Sequence, residues 1–338
     1  MKDTMSKSPN NDTTKPIPSL LKQLRYGFEW LVLIIARETL RMLPHKTLFN
    51  LSNTLGKLAY SLDKQGRKTA IENLRIAFGE RFNIDQRNTI ALESYQHFSR
   101  AFMDLFWSPN LNGENFRTLV CYEFEDEKIC REAIDNGAIC LTPHYSNFEW
   151  LALCYAYKEP PVTIIAQDFK NPYLTKVFRD IREQSGHQVI PQKHAMIRLL
   201  KLLKSGKSTA LLPDLKMPPS DFSVISTIFG LPVSSTPLHA VLSKRTGAPL
   251  LPAICLPNPD GSYRMRVMKP IEFPDNASIE EIVQGCWDVF EPIISEHPAP
   301  WLWMYKHWRY KVPNYPKEFP NYANKSSAFN KMLSKEKT

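Results

Sequence analysis

The chain has 338 residues, 43% of them hydrophobic, and 43 Lys+Arg against 34 Asp+Glu for a net charge of +9. That much apolar material excludes a wholly disordered chain and suits one large or two small domains. The basic balance calls for an anionic partner, whether nucleic acid, a phospholipid surface or an acidic carrier protein, and six cysteines without a C-x-x-C pair favour buried thiols over a disulfide framework or a zinc site.

Residues 1–17 are polar, rich in Pro, Ser, Lys and Asn, and read as a disordered N-terminus without a cleavable signal peptide. From 18 to 110 the pattern is helical. Leu20, Leu21, Leu24 and Phe28 share a face, Trp30 to Ala36 is apolar all round, and Lys22, Arg25, Arg37 and Arg41 flank the run. Seven apolar residues in a row fall short of the roughly 20 that span a bilayer, so the expectation is an interfacial, membrane-anchoring helix on anionic lipid. The bland alternative is an amphipathic core helix. Lys64 to Lys68 reads as a basic turn around Gly66, Arg67 to Phe78 as a helix, and Asp85 to Trp107 as another with Asp85 as its N-cap. His97 reads as an ordinary half-buried side chain.

Between 118 and 313 the pattern alternates. Val120–Phe124, Ala138–Leu141, Val162–Ala166, Gln188–Ile190, Ser208–Leu212 and Leu250–Leu256 read as strands. Lys128–Asn136, Asn147–Tyr157, Pro172–Ser185, His194–Lys204 and Leu238–Thr246 read as helices between them. The fold class expected is α/β, a mostly parallel sheet flanked by helices and preceded by the helical region. Tyr263–Lys269 would add an antiparallel edge strand, and Ser278–Glu296 a helix that Pro292 could break. Residues 317–338 read as a loose polar tail.

The stretch Ala138 to Ala152 carries the sharpest signal, a strand end feeding a helix with His144 and Glu149 in H-x4-E spacing. With 8 His and 34 acids, chance alone places roughly one such pair, so the spacing by itself is weak. Ser146 and Glu149 also fit a capping box. Ligands in open α/β sheets bind at the carboxyl ends of strands. Asp214 follows a second strand end and Gln167 and Asp168 a third, so three polar clusters converge on one edge and favour chemistry at His144.

Trp301 to Lys311 is dense in aromatics and cations, as in a lid or interfacial belt, or in a C-terminal helix that packs its rings into the core. No nucleic-acid module surrounds it, and no nucleic-acid partner is expected. Gly206-Lys-Ser208 ends like a P-loop, but Lys201 stands where its first Gly belongs and a strand follows instead of a helix. G-x-S-x-G and G-x-G-x-x-G are both missing. His187 and His194 lack ligand-like neighbours, so neither a cofactor nor a metal is expected.

Taken together these residues resemble the lysophospholipid acyltransferase superfamily, with its glycerolphosphate-acyltransferase-like fold, and within it the bacterial lipid A biosynthesis acyltransferases of the lauroyl/myristoyl type. The likeness runs from about Arg25 to Pro313. Its pieces are Arg67–Phe78 with Asn73-Leu74, His144 to Glu149, Asn171-Pro172 followed by Arg182, Pro213-Asp214, Phe229-Gly230, Thr246 to Pro249, and Trp301-Leu-Trp303 with Arg309. The resemblance implies an enzyme on the cytoplasmic face of the inner membrane that moves a fatty acyl chain from acyl carrier protein to a hydroxyl of a glycolipid. It implies His144 as general base, Glu149 as the carboxylate that orients it, and Arg182 and Asp214 as substrate-pocket residues. Backbone N–H groups near Ser146–Phe148, or Arg182, would stabilise the oxyanion. The chain departs from the family at Gln167, where a basic residue is usual, and at Leu215 to Pro219. These departures leave open a different lipid acceptor, and the loop at 215–219 a non-catalytic membrane-surface protein on the same fold; an acyl-CoA donor is a further alternative that the residues do not decide.

Overall fold

The computed structural model describes residues 19–336, so the expected disordered stretch 1–17 lies outside the described residues. Four helices come first: α1 (Leu20–Arg41), α2 (His45–Leu62), α3 (Lys64–Phe78) and α4 (Ile84–Trp107). Asp63 caps α3 by accepting from the Gly66 N–H at 2.8 Å, so the Lys64–Lys68 stretch is the first turn of a helix and not a separate turn. Asn83, not Asp85, caps α4. Its side chain and that of Gln86 satisfy each other's backbone N–H groups reciprocally, which leaves Asp85 inside the first turn, where a negative charge suits the helix dipole.

The α/β part follows as β1 (Val120–Phe124), α5 (Glu127–Asp135), β2 (Ile139–Leu141), α6 (Phe148–Tyr155), β3 (Thr163–Ala166), α7 (Pro172–Glu183), β4 (Gln188–Pro191), α8 (Ala195–Lys204) and β5 (Thr209–Leu211). It continues with β6 (Val224–Ile228), β7 (Leu231–Ser235), α9 (Leu238–Thr246), β8 (Leu250–Pro257), β9 (Tyr263–Val267) and α10 (Ile279–Glu296). Seven strands form one sheet in the order β1-β9-β8-β2-β5-β3-β4. Neighbours pair in parallel except β8 with β9. The strand at Tyr263 is therefore antiparallel to β8, as expected, but it is not the edge, because β1 pairs outside it. Pro292 lies inside α10 without ending it.

Both faces of the central strands are covered, which is why β2 and β8 are apolar throughout, whereas β9 nearer the edge alternates, with Arg264 and Arg266 exposed. Ile139, Leu141, Leu250 and Ile254 face a core that includes Leu199, Leu242, Phe290 and Trp301. Ala138, Cys140, Leu251 and Cys255 face the other, built on Ile134, Trp150 and Leu153. The two-residue period of each strand thus divides its side chains between layers.

β6 and β7 form a hairpin that the sequence reading did not anticipate, with Ile228 opposite Leu231 across a two-residue turn. Both turn residues have positive φ, 48° at Phe229 and 74° at Gly230. The usual signal for such a turn is Asn-Gly or Asp-Gly, and Phe at the first position masks it. A bulky residue there is strained. Its backbone is held on both sides, by Glu291 accepting its N–H and by Lys317 donating to its carbonyl, each at 2.6 Å.

Trp301, Trp303 and Trp308 are fully buried, and the segment that bears them runs as turns, so neither the belt nor the helix expected there is formed. The described part of the stretch after Pro316 is docked rather than loose. Glu318 takes a forked bond from Arg75 at 2.9 and 3.1 Å, Tyr322 donates to Asn73 at 2.5 Å, and Phe329 of the last helix is buried.

Helix α1 is apolar on two opposite sides. Tyr26, Leu33, Ile34 and Leu40 pack towards α4 and α7. Leu20, Leu21, Leu24, Phe28, Leu31 and Ile35 line the other side and remain exposed, Leu21 by 81% and Phe28 by 67%. No helix among the described residues is long and apolar enough to cross a membrane.

Candidate active site

The site begins with the register of two central strands. Leu141 of β2 pairs with Leu211 of β5 in parallel. Three residues further along each chain stand His144 and Asp214, side by side at the carboxyl edge of the sheet. Their carboxylate and imidazole meet at 2.7 Å through His144 Nδ1, and the other carboxylate oxygen accepts the His144 backbone N–H at 2.8 Å. The indole N–H of Trp301 also donates to that second oxygen, at 3.2 Å.

The carboxyl of Asp214 is pushed up by burial, but the imidazole and the two His144 hydrogen bonds outweigh this and hold it below the usual carboxylate range. Burial lowers the His144 pKa, yet the charge and hydrogen bond of Asp214, with Glu149 adding its charge, leave it above the ordinary histidine value. An ionised carboxylate can only accept, so the Nδ1 proton lies towards Asp214 and Nε2 presents its lone pair. His144 keeps 18% of its side chain exposed, and Nε2 has no hydrogen-bond partner among the described residues. The imidazole is thus oriented by a buried acid, with its second ring nitrogen free.

The residue expected to orient His144 does something else. Asn147, not Ser146, caps α6, accepting from Trp150 N–H at 2.9 Å. That shift by one residue turns Glu149 away from the capping position, so the capping box does not form. The Glu149 carboxylate points to α7 and takes both arms of a forked bond from Arg182, at 2.6 and 3.0 Å. Glu149 therefore acts on His144 only through its charge, and Asp214 takes the orienting role. Two further expectations change with it. Asp214 is buried with its acceptors engaged, so it faces the imidazole and not a substrate. Arg182 gives its Nε and Nη2 groups to Glu149, and the Ser146 N–H donates to Pro300 O at 2.8 Å, so these particular donors are engaged.

The third polar cluster joins the site at one remove. Gln167 and Asp168 line a small recess with Arg179 and Arg182, and Arg179 reaches Asp168 at 3.6 Å. His187 is a buried cross-link, bonded to Val162 and Ala152, and no metal-binding cluster occurs among the described residues.

A second buried carboxylate supports the loop, and the sequence reading missed it. Asp104 of α4 takes hydrogen bonds from Asn147 at 2.8 Å, from Tyr263 at 2.6 Å, and meets His45 at 3.0 Å. Its local signal was an acid inside the apolar run Phe102 to Phe106, where an ion is retained only with several partners. It ties the helical region to the N-cap of α6, between His144 and Glu149.

Comparison with known proteins agrees with this architecture. The family model described as bacterial lipid A biosynthesis acyltransferase matches residues 15–310. The chain is 22% identical over 301 residues to a lipid A biosynthesis lauroyltransferase of Escherichia coli, covering 87% of this chain and 95% of that one. It is 25% identical over 227 residues to a phosphatidylinositol mannoside acyltransferase of Mycobacterium tuberculosis, covering 64% of this chain and 69% of that one.

Proposed function

The chain belongs to the bacterial lipid A biosynthesis acyltransferase family and is an acyltransferase, and from that premise we propose that it transfers a fatty acyl chain from acyl carrier protein to a hydroxyl of a glycolipid, with His144 as general base. The observation that carries the proposal is the His144–Asp214 pair with Nε2 free at the carboxyl edge of the sheet. Nε2 takes the proton of the acceptor hydroxyl as that oxygen attacks the thioester carbonyl. Asp214 holds the tautomer and stabilises the imidazolium. Collapse of the tetrahedral adduct breaks the carbon–sulfur bond, and the imidazolium returns the proton to the departing thiolate. Ester and thiol leave, and no covalent enzyme intermediate is required. Glu149 and Arg182 brace the wall between α6 and α7 beside the imidazole.

The direct test is mass spectrometry of total membrane lipids from cells lacking the protein, complemented with wild type or with His144→Ala. A glycolipid short of one acyl chain, restored by wild type alone, is the expected result, and its mass identifies chain and acceptor. Full restoration by His144→Ala would remove the chemistry assigned here and leave a binding protein on the same fold. The curated relatives differ in the lipids their names specify, so the glycolipid acceptor is stated no more narrowly than that class.

The same reading places the protein on the cytoplasmic face of the inner membrane, with the exposed side of α1 in the lipid interface. Support comes from the stripe of exposed apolar side chains opposite the packed one, and from the net charge of +9, which suits both anionic lipid and an acidic carrier. Leu24→Glu with Leu31→Glu should move the protein from the membrane pellet to the supernatant. Both side chains are exposed, so folding is untouched, while the loss of two inserted leucines removes roughly 3 kcal/mol or more of binding. Retention equal to wild type would exclude α1 as the anchor.

A further inference from the structure

Helix α8 carries a charge pattern that the transfer step does not use. Between Gln184 and Pro213 the sequence has no acidic residue, and five cations stand there: Lys193, Arg198, Lys201, Lys204 and Lys207. All five are exposed, and none has an ion-pair partner among the described residues. The inner face of the helix, Ala195, Leu199 and Leu203, is buried in the core with Ile190 and Leu211. The outer face sets Ile197, Lys201 and Lys204 in one row at helical spacing, with Arg198 beside it and Lys193 one turn before. Ile197 is 59% exposed among these charges. An apolar centre with a polar rim is the composition of a protein-binding patch.

The helix itself does not account for the pattern. Lys201 and Lys204 in the last turn suit the helix dipole, but Lys193 and Arg198 stand near its positive end. The first turn there has no acid, and His194 at the N-cap, with φ 58°, supplies no side-chain cap.

Placement separates this face from the anchoring helix. α7 carries the chain outward from β3 to β4, and α8 returns it to β5, so right-handed crossovers put the two helices on opposite faces of the sheet. α1 packs with α7, through Leu33 and Ile34 against the cluster of Val177 and Phe178. A bilayer against the exposed stripe of α1 therefore lies on the far side of the sheet from α8. The charges of α1 are also balanced, Arg25 with Glu29, and Arg37 and Arg41 with Glu38. α8 nonetheless begins at the carboxyl edge. Pro191, at the end of β4, lines the recess that contains Arg182, and Arg182 holds Glu149 beside the imidazole.

We propose that the outer face of α8, from Lys193 to Lys204 around Ile197, is the docking surface for an acidic carrier protein, which presents its acyl thioester from the side of the sheet away from the membrane helix. Charge complementarity selects this occupant: an acidic protein surface supplies the carboxylates that the row lacks. A single exposed isoleucine gives no apolar stripe of the kind that inserts into lipid. The surface stands on charge and placement; its use for the acyl donor rests on the acyltransferase reading.

The test is fluorescence anisotropy of labelled holo acyl carrier protein titrated with the full chain at low ionic strength. Wild type, His144→Ala and the double variant Lys201→Arg, Lys204→Arg should bind alike, and added salt should weaken all three. Lys201→Glu with Lys204→Glu should weaken binding by roughly tenfold or more. Lys57→Glu with Lys64→Glu makes an equal change of net charge at exposed positions elsewhere and should weaken it far less. Equal loss from the two pairs, no loss from the α8 pair, or wild type that binds no carrier overturns the surface. Sedimentation with phosphatidylglycerol vesicles is the second arm. The α8 Glu variant should stay bound as wild type does; its release from vesicles without loss of carrier binding makes α8 a lipid contact and overturns the proposal. In turnover, the same variant should raise KM for the acyl carrier protein donor with kcat unchanged, and leave transfer from acyl-pantetheine as in wild type. Wild type that binds carrier through α8 but acylates nothing counts against the acyltransferase reading and for the docking surface. Transfer from the carrier with a KM that the α8 variant does not move counts the other way.

Discussion

Asp214→Asn should lower kcat by about 10³–10⁴ while the protein stays folded, a loss comparable to that of His144→Ala. The reason lies in how the carboxylate is held. One oxygen accepts from the His144 backbone and the Trp301 indole, so the amide oxygen of the variant is drawn there and its NH₂ is turned towards Nδ1. That forces the proton onto Nε2, and the base is lost with the geometry intact. The pH profile gives the sign. His144 must be neutral to act, and its pKa lies above 6.5, so the rate falls as pH drops through that raised value. In Asp214→Asn the limb should move to lower pH. The same shifts act on stability. The His144 contribution is complete below 6.5 and is lost as pH rises through its folded pKa, whereas that of Asp214 is complete above 3.8 and is lost as pH falls. Rate profiles of both variants decide the matter: an Asp214→Asn enzyme within tenfold of wild type would return the orienting role to another acid.

Glu149→Ala should lower folding stability by about 3 kcal/mol, the lower end for breaking a buried ion pair, because Arg182 retains 22% exposure. Removing the carboxylate strands a guanidinium between α6 and α7 with nothing to accept from it. Arg182→Met should be damaging alone for the converse reason, and the double variant Glu149→Ala, Arg182→Met should be more stable than the sum of the two losses. Urea denaturation of the four proteins measures the cycle. If Glu149 served a helix cap, Arg182→Met would be neutral and the cycle additive. A further contrast separates the two acids: Glu149→Gln keeps the His144 tautomer, so its kcat should fall far less than that of Asp214→Asn.

The sheet was legible because its strands are short apolar runs punctuated by helices, a pattern that needs no knowledge of contacts. Asp214 was legible as a strand-end acid, but its role was not, because that depends on Leu141 standing opposite Leu211 and no local pattern encodes a register across 70 residues. Glu149 was misread for the opposite reason. It follows His144 by only five residues, but a cap one residue later than Ser146 aims its side chain at Arg182 instead. Trp301 to Lys311 misled in another way, since fully buried indoles and an interfacial belt have the same composition and differ only in what surrounds them.

The register of β2 and β5 also sets when the site can exist. The base and its acid are 70 residues apart, and the indole that completes the acid's hydrogen bonds comes 87 residues later still. At roughly 5–20 residues per second of synthesis, His144 emerges several seconds before Asp214 and longer before Trp301. No nascent or truncated chain that stops short of β5 carries an oriented base, and one that stops before Trp301 carries an incomplete one. On the roles proposed for His144 and Asp214, turnover begins only when the chain has closed on the sheet as far as Trp301.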